Sequence, residues 1–138
     1  MMLPVGYRVA DIGTLEWDER PAKEGEEPRR LTDITTAAGL KQSRARVWRY
    51  PAHSTGRRHR DHAQEEVFVV ISGQLTMLLG DEGDRADVGP GSVIAVDAMT
   101  PLQIRNEGDE ELVVYAYGAP PLQEGADMLD DVPLPPRA

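Results

Sequence analysis

From Ser43 onward, short runs of strand-forming residues recur along the chain with turn residues between them. The runs are Ala45–Tyr50, Glu66–Ile71, Gln74–Leu79, Asp84–Val88, Ser92–Val96, Leu102–Arg105 and Leu112–Tyr117. Pro51–Gly56, Ser72-Gly73, Gly80–Gly83, Gly89-Pro90-Gly91, Ala98–Pro101 and Asn106–Glu110 break them. Beyond the first forty residues no segment carries a helical repeat, so this pattern predicts an all-β sandwich or barrel. Apolar residues are nearly continuous from Val67 to Leu79, as in strands buried on both faces or at a subunit contact. The first forty residues read as an irregular arm. Val5–Ile12 has the makings of one short strand, and the charged, proline-broken Trp17–Arg30 of an exposed loop. Leu31–Leu40 is rich in β-branched residues but ends in Ala-Ala-Gly, which leaves its structure open. The proline-rich, acidic tail after Ala119 is expected to be extended and peripheral, with Leu122, Met128 and Leu129 packing on the barrel.

Composition narrows the classes. A chain of 138 residues fits one domain with a real core. Its net charge of −9 argues against a nucleic-acid binder, which needs a basic face, and against an anionic membrane surface. There is no cysteine, hence no disulfide and no thiolate metal ligand. The start, MMLPVGYRVADIG, lacks the basic and apolar stretches of a secretory signal. The longest purely apolar run, Val67–Ile71, is far short of the ~20 residues of a membrane helix. A soluble, cytoplasmic protein is expected.

The chemistry is concentrated in RRHRDHAQEEVFVVISG, residues 57–73. It crowds two histidines and three acids ahead of a short apolar strand, the mixture of imidazole and carboxylate that suits a divalent metal. Period two puts His59 and Asp61 on one face and His62 on the other. A bulge at Arg60 would instead bring His59 and His62 together. Glu66 opens an apolar run and must face water or be paired, because burying a lone carboxylate is costly; Glu65 is assigned to solvent. His53 is expected at the surface. Arg57, Arg58 and Arg60 either clamp an anion or pair with Asp61, Glu65 or Glu66. Trp48 and Tyr50 share a strand face, as do Tyr115 and Tyr117, and such pairs pack a core or line a pocket. Leu102 and Ile104 are expected to face inward, opposite Gln103 and Arg105. Gly89-Pro90-Gly91 is no phosphate loop, because no helix follows it.

Six residues separate Glu66 from Gly73, EEVFVVISGQLTMLL forms an apolar hairpin, and VGPGSVIAVDAMTPLQIRNEGDEELVVYAYGAPP follows. Over residues 44 to 121 this resembles the cupins, small jelly-roll β-barrels also described as double-stranded β-helices. The resemblance implies an N-terminal arm (1–43) packing on a cupin barrel (44–121) and an extended tail (122–138). In metal-binding cupins two histidines and a glutamate of the first motif join a third histidine from the second. With the four-residue gap His59 and Asp61 fall at the His-x-His positions; with the three-residue gap Arg60 and His62 do. The third histidine should follow Pro101, where this chain has Leu102.

The resemblance therefore implies a small organic ligand in the barrel beside a degenerate metal site, with His59, Asp61, His62 and Glu66 as candidate ligands. Its implied cofactor is one divalent ion, Fe, Mn, Ni or Zn. Arg57, Arg60, Leu102, Ile104, Trp48 and Tyr115 are the candidate ligand-binding residues. The alternatives are a metal-dependent dioxygenase or isomerase using His59, His62 and Glu66, a metal-free epimerase-type enzyme with His59 as base, and a barrel without chemistry. A homodimer is the assembly that the resemblance implies.

Overall fold

The computed structural model describes residues 6–121 and 125–137, so Val5 and Leu122 lie outside the described residues. The strands are β1 (Asp18–Arg20), β2 (Arg29–Asp33), β3 (Arg44–Tyr50), β4 (Ser54–Thr55), β5 (His59–Arg60), β6 (Glu65–Ser72), β7 (Leu75–Leu79), β8 (Asp84–Val88), β9 (Val93–Val96), β10 (Leu102–Asn106), β11 (Leu112–Ala119) and β12 (Asp127–Met128). One short helix, α1 (Ile34–Ala37), follows β2 and is capped by Asp33. Two antiparallel sheets face each other, in the orders β1-β2-β3-β11-β6-β9 and β12-β5-β10-β7-β8, with β4 added to β10. Each run expected between Ala45 and Tyr117 is a strand, displaced at its ends by a residue or two.

The interior follows from the alternation. On the first sheet Phe68 and Val70 of β6 and Leu112, Val114 and Ala116 of β11 turn inward. They meet Leu75 and Met77 of β7 and Leu102 and Ile104 of β10 from the second sheet. At about 25 cal/mol per Å² of apolar area, this packing is the main favourable term for the fold. The near-continuous apolar run resolves into two situations. β7 is buried on both faces, whereas β6 leaves Val67, Val69 and Ile71 partly or fully exposed on its outer side.

The ends of the chain depart from expectation. Trp17–Arg30 is not simply a loop, because Asp18–Arg20 and Arg29–Asp33 pair and extend the first sheet beside β3. No apolar repeat announced β1; its three residues are all exposed and charged and are held by ladder hydrogen bonds. Residues 6–12 form no strand. Arg8 instead donates to the carbonyls of Ala38 and Gly39 after α1. The tail is extended but pinned to the outer face of the second sheet. Arg58 donates to Asp130 O, Gln103 to Asp131 Oδ1 and Arg85 to Pro135 O. Buried Asn106 ties the barrel end together, donating to Tyr50 O, Pro51 O and Glu110 O while its Oδ1 accepts from Gly108 N.

Gly73, in the turn between β6 and β7, has φ +81°, and a Cβ there would lie 2.4 Å from Glu111 O. Gly80 has the same φ but open space around it. Gly80→Ala should therefore cost only the left-handed backbone penalty, about 1–2 kcal/mol. Gly73→Ala should cost clearly more in chemical denaturation, because the opposing atom is backbone and cannot step aside. Equal losses would show that the β6–β7 turn yields freely.

Candidate metal centre and cavity

The two-residue strand β5 sets the register of the centre. His59 pairs across to Leu102 of β10 and to Met128 of β12, while Arg60 pairs with Asp127. His59 and Asp61 therefore turn into the barrel, and Asp61 O accepts a 2.6 Å hydrogen bond from Met99 N. Glu66, on the inner face of β6 between Val96 and Gly118, completes the group from the opposite sheet. His59 Nε2 lies 3.7 Å from Asp61 Oδ2 and 4.0 Å from Glu66 Oε1. One ligand atom from each of the three residues lies within 4.8 Å of the others.

His62 does not join them. No bulge forms at Arg60, so period two carries His62 outward, where its Nε2 is 2.9 Å from Asp127 Oδ1. Arg60 donates to the other oxygen of Asp127 at 2.8 Å and does not line the cavity either. These donors, Arg60 first, hold the Asp127 carboxyl below the usual carboxylate range. Tyr115 falls with Tyr117 on the outer face of β11, because Val114 and Ala116 take the inner one. The pairing considered for the basic patch is also not found. Arg58 is tied to the carbonyls of Gly80, Asp81 and Asp130, and Arg57 faces the cavity. His53 is exposed and paired with Asp109.

The protonation of the centre follows from geometry. His59 Nδ1 lies 3.2 Å from Arg57 O, and a carbonyl only accepts, so Nδ1 carries a hydrogen and, in the neutral ring, the lone pair of Nε2 faces the carboxyls. This is the outer-shell arrangement that orients a metal-binding histidine. Glu66 is only 5% exposed, and burial is the largest cause that pushes its pKa up, to about 9. The hydrogen bond to Asp61 and that group's charge add to it, while Arg46 and Arg44 pull the other way. Burial and the neighbouring Asp61 carboxyl thus favour the protonated form of Glu66 at neutral pH in the absence of a cation.

The donor set fits a divalent ion. It offers one imidazole and two carboxyls, leaves room for further ligands, and suits Mn, Fe or Zn better than a soft ion. At the expected third-histidine position stands Leu102, 1% exposed, its backbone directly across the ladder from His59.

Beyond the trio opens a cavity of about 400 Å³. Among the expected residues Arg57, Trp48, Leu102 and Ile104 line it. So does Tyr50, which shares the face of Trp48, and so do residues the sequence reading missed: Arg20, Arg29, Arg44, Arg46 and Met128 among them. Arg44 and Arg46 share the inner face of β3 with Trp48 and Tyr50, so the period-two signal that linked the aromatics also reached the arginines. Arg29, Arg20 and Met128 come from segments without a strand signal, brought in by pairing alone.

Comparison with known proteins identifies the class. The family described as Cupin_2: Cupin domain matches residues 46–117, just over half of the chain, and the chain belongs to it. A search of curated sequences gives no match. Solved structures share the fold at low identity. An uncharacterized conserved protein with a double-stranded β-helix domain from Klebsiella pneumoniae is 18% identical, covering 90% of this chain and 98% of its own, with a TM-score of 0.70. The polyketide cyclase RemF from Streptomyces resistomycificus is also 18% identical, covers 89% and 85%, and has a TM-score of 0.73. A putative sugar phosphate isomerase from Acidithiobacillus ferrooxidans is 21% identical, with coverage of 78% and 70% and a TM-score of 0.66. Among the described residues no helix is long and apolar enough to cross a membrane.

The protonated Glu66 has a thermodynamic signature. Its folded pKa lies above the unfolded value of about 4.3, so stability falls as pH rises from there toward about 9. Glu66→Gln removes that slope. In metal-free protein it should be neutral below about pH 4 and stabilising at pH 7, on the order of 1–3 kcal/mol by urea denaturation. A variant that loses stability at pH 7 would mean that Glu66 is ionised there.

Proposed function

We propose that this cupin binds a small organic molecule in its barrel, next to one divalent ion held by His59, Asp61 and Glu66. The observation that carries the reading is the convergence of these three side chains on the wall of a cavity large enough for such a molecule. The ion, Fe, Mn, Ni or Zn, would supply Lewis acidity toward ligand oxygens. His59 would be held by Arg57 O, and Glu66 and Asp61 would exchange their shared proton for the cation. The apolar walls at Leu102, Ile104 and Phe68 exclude water and orient the ligand.

A second reading, a metal-free acid–base enzyme, is favoured by one feature. The Nε2 of His59 lies about 4 Å from the buried Glu66 carboxyl, whose pKa is raised to about 9, so that a base and an acid face each other across the cavity. Orientation by Asp61 gains no support, since 3.7 Å is beyond hydrogen-bond reach and Arg57 O orients the ring instead.

Elemental analysis of protein purified without chelator or histidine tag separates the two. Near one transition metal per chain, falling sharply in His59→Ala and Glu66→Ala, is the expected result. Protein that stays empty after incubation with iron, manganese, nickel and zinc overturns the metal reading and leaves acid–base chemistry. Leu102→His should raise metal affinity at least tenfold, about 1.4 kcal/mol, because it sets an imidazole opposite His59.

We also propose a homodimer, formed over the outer face of β9, β6 and β11. Val93 is 60% exposed there, and Ile71 and Tyr117 are exposed beside half-buried Val67, Val69 and Tyr115. A second copy fits best, because an apolar face lying across one sheet edge can cover itself through a two-fold axis. Light scattering should give twice the chain mass, reduced toward one by Val93→Glu; a monomeric mass for the unaltered chain refutes the assembly.

A further inference from the structure

The arginines of this protein fall into two groups. On the outside, Arg30 and Arg49 meet Glu111, Arg60 meets Asp127, Arg85 meets Asp87 and Arg105 meets Glu107. Inside the cavity, Arg20, Arg29, Arg44, Arg46 and Arg57 have no carboxylate within 4.0 Å among the described residues. Among the described residues the carboxyls on the cavity wall are those of Asp61 and Glu66. In a chain of net charge −9 the cavity is therefore lined with an excess of positive charge.

Arg29 is the most telling member. It is 6% exposed, and its Nε has no hydrogen-bond partner. Its Nη atoms make only long contacts, 3.5 Å to Tyr50 OH and 3.4 Å to Pro21 O. Its guanidinium lies 5.4 Å from the Trp48 ring centre and 5.5 Å from that of Tyr50. Arg46 reaches the same Trp48 ring at 5.7 Å. Stacking on aromatic faces stabilises a cation without using its N–H donors. Two guanidiniums thus stand around one indole with their forks unspent. A buried cation with unused donors is costly to fold and is retained where an acceptor arrives from outside.

We propose that Arg29 and Arg46, set around Trp48 in the cavity wall, bind the carboxylate or phosphate of a small organic anion. The proposal rests on the reading of the cavity as a small-molecule site, but not on the metal. Guanidinium forks match both oxyanions in a two-pronged way, and the ring stack holds them in place before binding. The rest of the anion would extend along Phe68, Leu102 and Ile104 toward His59.

The test is calorimetric titration of the full-length chain, stripped of metal on a chelating resin, at low ionic strength. Phenyl phosphate and phthalate are the anionic probes, and benzyl alcohol is the neutral one. At least one anion should saturate and bind at least tenfold more tightly than benzyl alcohol, and the stronger of the two identifies the oxyanion. Arg46→Gln should weaken that binding at least tenfold. Arg29→Lys, which keeps the charge but loses the fork, should weaken it about fivefold or more. Arg105→Gln, outside the cavity, should leave it unchanged, and far-UV circular dichroism checks that each variant is folded. Failure of both anions to saturate, equal binding of benzyl alcohol, or binding indifferent to Arg46→Gln and Arg29→Lys would each overturn the proposal. Metal uptake by the same protein is measured separately, so a failed anion site and a failed metal site give different results.

Discussion

Charge removed from water must be balanced, and that constraint organises this barrel more than its apolar core does. The hydrophobic alternation closes two sheets over Leu75, Met77, Val114 and Leu102 in an ordinary way. What is unusual is that the same inner faces also carry Glu66, Asp61, Arg29 and Arg46. Each is handled by a different device. Glu66 keeps its proton, His59 is fixed by a backbone carbonyl, and the two arginines lie against Trp48. The interior is left with acidic groups, guanidinium donors and apolar walls around one cavity, a layout suited to a polar ligand.

The terminal segments matter because they complete this layout. β12 holds Met128 beside His59, and Asp127 draws Arg60 and His62 away from the interior. That single carboxylate simplifies the centre, since it removes a competing histidine from the metal site. The N-terminal strands likewise bring exposed Arg20 and buried Arg29 to the cavity, β2 by pairing with β3 and β1 by pairing with β2. The arm and the tail are thus parts of the cavity wall as well as covers for the sheets.

Much of this was legible in the chain. Period two set His59 and Asp61 against His62 unless a bulge intervened at Arg60, and it separated Leu102 and Ile104 from Gln103 and Arg105, because a strand offers only two faces. The same logic reached Trp48 but misplaced Tyr115. An alternating pair of aromatics says that they share a face, not which face it is. Arg44 and Arg46 were readable in the same register but were overlooked, since arginine on a strand is ordinarily a solvated residue.

The sequence by itself determined the main strands between Arg44 and Ala119 and most of the turns between them, although short β4 and β5 arise where it showed no such run, and it offered His59, Asp61, His62 and Glu66 as candidate ligands. Those features depend on local periodicity and on glycines whose backbone angles few other residues adopt. Only the tertiary structure decided that Asp61 rather than His62 joins His59, that Glu66 meets them from the other sheet, and that Arg29 enters the cavity. Each of these is a contact between segments far apart in the chain. It is set by which strands pair and which carboxylate captures which cation, and no local pattern encodes that choice.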